Sequence, residues 1–199
     1  MAATLVEAPG RRGVLDAAAE LFVTHGYEGT TLRKIAAAAG IKAGSIYHHF
    51  VSKEALFLAV LGDGMKVMVD AFNRASEEAD PNANTDERLR AHVRAHLGAI
   101  FENGPYTTAH VTSFFIAPEA VRDQIVPDRD AYEKQWALLF RELFPDRKPK
   151  DLRLKRLFLF GSMNSTAEWF DPGGNVSINQ LASSISDHFL NGMTNKGPA

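Results

Sequence analysis

Residues 31–56 read TLRKIAAAAGIKAGSIYHHFVSKEAL, and their reading decides the fold. Thr31 supplies an N-cap for a short helix over residues 32–39. Gly40 ends that helix, because the turn needs a residue that tolerates positive φ. A second short helix begins near Ala43 or Gly44 and runs to about Phe50. Two helices crossing at a fixed angle need a small residue at their contact, and Ala36 stands four positions before Gly40. Ile35, Ala39, Ile41 and Ile46 are apolar at the spacing that closes the pair over a small core. The segment 31–50 is therefore a helix-turn-helix. An isolated Ala-x-x-x-Gly would equally fit an αα-hairpin with no nucleic-acid role.

Outward from this pair the chain continues in helices. Arg12 to His25 carries Val14, Leu15, Ala18, Leu21 and Phe22 at helical spacing, with Gly26 as a stop. Ser52 caps a long helix reaching about Ala79, with Glu54 in its first turn. Further helices are expected over residues 86–103, 105–116, 119–144, 150–170 and 177–190. Pro127 marks a break or a fresh start within the third of these, and Asn191-Gly192 caps the last. Strand signals are nearly absent. The fold class is all-α: a three-helix N-terminal head and a larger helical body, divided as residues 1–53 and 54–199.

Composition sets the outer limits. The 199 residues are 45% hydrophobic and 23% charged, which argues against wholesale disorder. There is no cysteine, so a disulfide scaffold, a cysteine-ligated zinc and a thiol nucleophile are excluded. No apolar run spans a bilayer, and the first residues lack a signal-peptide layout, so a cytoplasmic location and no membrane partner are expected. A net charge of −2 looks wrong for a nucleic-acid binder, but the charge is uneven. Residues 1–53 hold six Lys/Arg against four Asp/Glu, and the remainder sixteen against twenty. A small basic module on an acidic body follows.

Leu15-Asp-Ala-Ala-Ala-Glu-Leu-Phe, Gly26-Tyr27, Thr30-Thr31, Ile35-Ala36, Ala39-Gly40-Ile41, Gly44 to Phe50 and Ser52 to Leu56 occur in order with tight spacing. This run resembles the N-terminal domain of TetR-family transcriptional regulators from Arg12 to Leu56. The resemblance implies a homodimer on a double-stranded DNA operator and a small-molecule effector. It implies that Thr31, Tyr47 and Lys53 contact phosphates, and that Arg33, Lys42, Ser45 and His48 read bases. Ala43 and Gly44 are small, so the backbone can approach base edges closely. Thr31 and Lys53 stand at helix N-termini, where free N–H groups favour an anion. His49 is either a phosphate ligand or a structural histidine. Arg11 and Arg12 form either a minor-groove arm or a solvated tail.

By the same resemblance the body holds an effector cavity and a dimer interface. A cavity shows as apolar helices with a few polar groups that are costly to bury without partners. His96, His110, Asn164 and Trp169 fit, with Phe72, Phe114, Trp136 and Phe160 as apolar lining. Residues 160–174 resemble a TetR subgroup that often controls lipid, acyl-CoA or steroid breakdown, so a lipid-like or acyl-CoA effector is expected. His92 and His96 lie four apart, a spacing that can bind metal, but no third ligand is evident and no metal or cofactor is expected. The basic run 147–156 is a solvated helix start or an anchor for a phosphate-bearing ligand.

Two other classes compete. An enzyme lacks support, since no G-x-S-x-G, P-loop or dinucleotide fingerprint occurs. A ligand-blind architectural DNA-binding protein remains the alternative to a ligand-responsive repressor.

Overall fold

The structure is a computed structural model that describes residues 10–194. Among these residues there are helices and no strand. The head comprises α1 (Arg11–Gly29), α2 (Leu32–Ala38) and a 3₁₀ segment (Ala43–His48). The body comprises α3 (Lys53–Glu77), α4 (Thr85–Phe101), α5 (Pro105–Ser113), α6 (Glu119–Leu143), α7 (Pro149–Trp169) and α8 (Ile178–Thr194).

Local chemistry sets the ends of the head helices. The Thr31 hydroxyl accepts the Lys34 N–H at 3.2 Å and the Ser52 hydroxyl accepts the Ala55 N–H at 3.1 Å, so both expected caps form. Gly40 turns the chain at φ +70°. Gly26 sits at φ +67° and interrupts α1, after which one more turn runs to Gly29. The buried Thr30 hydroxyl holds this corner, 2.8 Å from the Gly26 carbonyl.

Two cores follow one another along α3. The first joins Leu15 and Phe22 of α1, Ile35 of α2 and Ile46 of the 3₁₀ segment to Leu56, Phe57 and Leu61 of α3. It continues onto Tyr106 and Ala109 of α5. The second joins Met65, Met68 and Phe72 of α3 to Leu97 of α4, Trp136 of α6 and Met163 of α7. A Cβ on Gly64 would meet the Tyr106 carbonyl oxygen at 2.5 Å. The missing side chain therefore lets α3 and α5 pack backbone to backbone.

The structure corrects three expectations. Arg11 and Arg12 are neither an arm nor a tail. They open α1, with the Arg11 guanidinium 4.8 Å over the Phe50 ring. Arg12 pairs with Asp16 at 3.1 Å and Asp63 at 3.4 Å. Pro127 does not break α6, because Val121, Ile125, Tyr132 and Trp136 continue one buried face through it. Asn191-Gly192 does not end the last helix, which continues to Thr194. α4 begins with a capping box that sequence reading passed over. There the Asn84 side chain accepts from the Glu87 N–H and the Glu87 carboxylate accepts from the Asn84 N–H.

Candidate DNA-binding head and effector cavity

The 3₁₀ segment is anchored from beneath by Ile46, which is fully buried. Its outer side stays open: Tyr47 is 59% exposed, and Ala43, Gly44 and His48 are exposed beside it. Thr31, Arg33 and Lys42 are also exposed, while Ser45, His49 and Lys53 are half-buried. The head thus presents these cationic and hydroxyl groups exposed or half-buried, none of them fully buried.

Lys53 makes contacts that no sequence pattern announced. Its Nζ donates to the Tyr27 carbonyl at 3.0 Å and the Thr30 carbonyl at 3.2 Å, and lies 3.8 Å from the Tyr27 ring centre. The Tyr27 hydroxyl donates to Glu54 Oε1 at 2.8 Å. The Glu54 backbone N–H, with Tyr27 and Ser52, holds the Glu54 carboxyl below its usual range. These contacts fasten the start of α3 to the α1–α2 corner. An ammonium has three donors, so one N–H of Lys53 remains for a phosphate.

In the body, a cavity of about 270 Å³ lies between α3, α5, α6 and α7. Met65 and Met68 supply the α3 wall, His110 the α5 wall, Arg129 and Tyr132 the α6 wall, and Phe160 and Asn164 the α7 wall. Larger depressions exist, including a groove of about 530 Å³ between α7 and α8, but they are more open to solvent.

Of the eight residues expected around the effector, His110, Phe160 and Asn164 line this cavity. His96 stands directly behind it: its Nδ1 accepts from the Tyr132 hydroxyl and its Nε2 donates to Asn164 Oδ1, each at 2.9 Å. Phe72 and Trp136 pack in the core behind Phe160, with the Trp136 and Phe160 ring centres 5.4 Å apart. Phe114 stacks on His110 outside the lining. Trp169 lies elsewhere, 63% exposed at the α7–α8 groove.

Burial keeps the two cavity histidines neutral. It pulls His96 down to about 4, and pulls His110, with the neighbouring Arg129 charge, down to about 3. His110 Nδ1 donates to the Leu61 carbonyl at 3.0 Å, which leaves Nε2 to accept from Arg129 Nη1 at 3.1 Å. His92 has Nδ1 2.7 Å from the Arg88 carbonyl and Nε2 2.9 Å from the Ser76 hydroxyl. The nitrogens of His92 and His96 are thus engaged by protein. Among the described residues no group of three His, Cys, Asp or Glu could hold a metal ion. No helix among them is long and apolar enough to cross a membrane.

Fold and site together define a helix-turn-helix regulator with a cavity-bearing helical body. The sequence model described as "Bacterial regulatory proteins, tetR family" matches residues 14–60, and that described as "Tetracyclin repressor-like, C-terminal domain" matches residues 82–193. The HTH-type transcriptional repressor KstR2 of Rhodococcus jostii is 30% identical over 196 residues, covering 92% of this chain and 91% of that protein. The ketosteroid transcriptional regulator KstR2 of Mycobacterium tuberculosis superposes with a TM-score of 0.75 at 25% identity, covering 92% of this chain and 93% of the other. AibR in complex with isovaleryl coenzyme A and operator DNA superposes with a TM-score of 0.73 at 25% identity, covering 89% and 96%. The chain belongs to the TetR family of transcriptional regulators. Family and relatives are regulators and not enzymes.

Proposed function

We propose that the protein is a cytoplasmic repressor that binds a palindromic operator as a homodimer and is released by a small apolar or acyl-type effector. One observation carries this reading: α3 belongs to both sites. Its first residue is Lys53 of the head, and its Met65 and Met68 wall the cavity. At about 1.5 Å per residue, its 25 residues form a lever of about 37 Å. Residues 1–53 act as the DNA-binding domain and 54–199 as the effector-binding and dimerisation domain. Thr31, Tyr47 and Lys53 hold phosphates, and Arg33, Lys42, Ser45 and His48 read bases, with the backbone of Ala43 and Gly44 close to the groove and His49 at its edge.

Dimerisation through α7 and α8 accounts for apolar side chains that a monomer leaves in water. Leu154, Phe158 and Trp169 on α7 are all more than half exposed. The relatives favour an acyl or steroid-like effector, since AibR was crystallised with isovaleryl coenzyme A and KstR2 is named a ketosteroid regulator.

Footprinting on genomic fragments, with sedimentation of the same sample, tests this reading. A discrete two-fold-symmetric protected site and a dimer at micromolar concentration are expected. Uniform, salt-labile coating marks a ligand-blind architectural binder, and a monomer removes the dimer.

A further inference from the structure

We infer that the cavity takes a free carboxylic acid, its carboxylate held by Arg129 and its small apolar body lying against Met65, Met68 and Phe160; this rests on the cavity being the effector site. Arg129 lines the cavity and is half-buried. Among the described residues no Asp or Glu oxygen lies within ion-pair distance of it. Its direct partners are neutral: Nη1 donates to His110 Nε2, and the guanidinium lies 3.9 Å from the Phe114 ring centre and 5.4 Å from that of Phe115, while Glu133 and Asp130 act on it only from beyond ion-pair distance. A partly buried cation without a counter-ion is costly, and a bound anion removes that cost.

The surrounding charges point the same way. Glu133, one turn along α6 and also in the lining, faces Arg156 at 3.5 Å, and Arg156 is only 11% exposed. That wall of the body therefore carries two guanidiniums and one carboxylate. Asp130 is exposed to solvent. Across the cavity, Asn164 Oδ1 is occupied by the His96 N–H, and the Asn164 amide hydrogens have no acceptor among the described residues. The Tyr132 hydroxyl is turned to His96. Arg129 and the Asn164 amide thus offer donors to the cavity, with Glu133 turned to Arg156, so a ligand that brings acceptors to Arg129 is complementary.

A guanidinium fork matches the two oxygens of a carboxylate and gains little from the neutral carbonyl of a thioester, ester or amide. At about 270 Å³ the cavity falls just below the roughly 300–1,000 Å³ common for drug-sized ligands, which calls for a small acid. Flexible methionines let bodies of different shape fit.

The test is calorimetric titration of the full-length protein with butanoate, hexanoate, octanoate, isovalerate and phenylacetate, each beside its primary amide. At least one acid is expected to bind about tenfold or more tightly than its amide. Arg129→Gln is expected to abolish that preference, with circular dichroism reporting an intact helical fold. Arg129→Lys keeps part of the preference. The proposal is overturned if amides match their acids, or if acid binding survives Arg129→Gln. It is also overturned if no acid binds while another co-purifying molecule still releases DNA, in which case the regulator reading stands without it. If no small molecule alters DNA binding, the regulator reading itself falls.

Discussion

The Tyr106 hydroxyl donates to Asp16 Oδ1 at 2.5 Å, so α5 of the body is tied to α1 of the head by a hydrogen bond to a carboxylate. The Arg12 guanidinium lies 4.5 Å over the Tyr106 ring and also reaches Asp63 of α3. One turn further along α5, His110 lines the cavity. On the proposed reading, a displacement of α5 by ligand would reach the base of the head through this contact, alongside any tilt of α3.

Tyr106→Phe removes this tie and keeps the ring. We expect about 1 kcal/mol of lost stability, because Asp16 is half exposed. Operator affinity without effector should change little, while the effector-induced loss of affinity shrinks several-fold. Fluorescence anisotropy with labelled operator, with and without effector, reads both. An undiminished effector response means that α3 alone transmits the signal.

The glycines of α3 give a paired prediction. A Cβ at Gly62 meets nothing within 4 Å, so Gly62→Ala should stabilise by roughly 0.5–1 kcal/mol through helix propensity. A Cβ at Gly64 meets the Tyr106 carbonyl at 2.5 Å, so Gly64→Ala should destabilise by about 1–3 kcal/mol as α3 and α5 are forced apart. Urea denaturation measures both. Equal effects would contradict the backbone-to-backbone contact.

On the proposed reading, Lys53→Ala removes a phosphate contact together with the observed clamp. Binding to all DNA sequences should weaken, with the salt slope of log K reduced by about one. The melting temperature should also fall, because the Tyr27 and Thr30 carbonyls lose their shared donor. Weaker binding with an unchanged slope would assign Lys53 to the clamp alone.

Much of the head was legible because its signals are local. Thr31, Gly40 and Ser52 each fix a helix end through their own backbone neighbourhood, and each did so as read. The Lys53 clamp was not legible, since it joins residues 23 and 26 positions apart. The capping box at Asn84 and Glu87 was present as Asn-x-x-Glu, but the expected helix start at residue 86 lies past its Asn84 cap. Pro127 misled because tertiary packing of one continuous apolar face outweighs a single lost hydrogen bond. In the body, His110, Phe160 and Asn164 stood out as polar or bulky groups in apolar stretches. Arg129 did not, because among Asp128, Asp130 and Glu133 it reads as a solvated charge. In the fold it is half-buried, with no carboxylate within ion-pair distance among the described residues.

The buried histidines set a pH dependence. His96 and His110 stay neutral in the folded protein down to about 4 and about 3, while in the unfolded chain they protonate near 6.5. Between pH 7 and 5 the unfolded state therefore takes up protons that the native state refuses. Stability should be level above pH 7 and fall as pH drops, by up to about 1.4 kcal/mol per unit for each histidine. Denaturation at pH 7, 6 and 5 checks the sign, and His110→Gln should flatten the slope. Stability that is constant or rising toward pH 5 contradicts neutral burial.

The central claim is that effector and operator compete through one rigid body, and one titration addresses it most directly. Labelled operator duplex is titrated with the protein stripped of small molecules and again with the molecule that co-purifies with it, binding of that molecule being confirmed in the same sample. A coupling of about 1–3 kcal/mol predicts operator binding weaker by about 5- to 150-fold in the second titration. An unchanged dissociation constant with the molecule demonstrably bound contradicts the account, and tighter operator binding contradicts it equally.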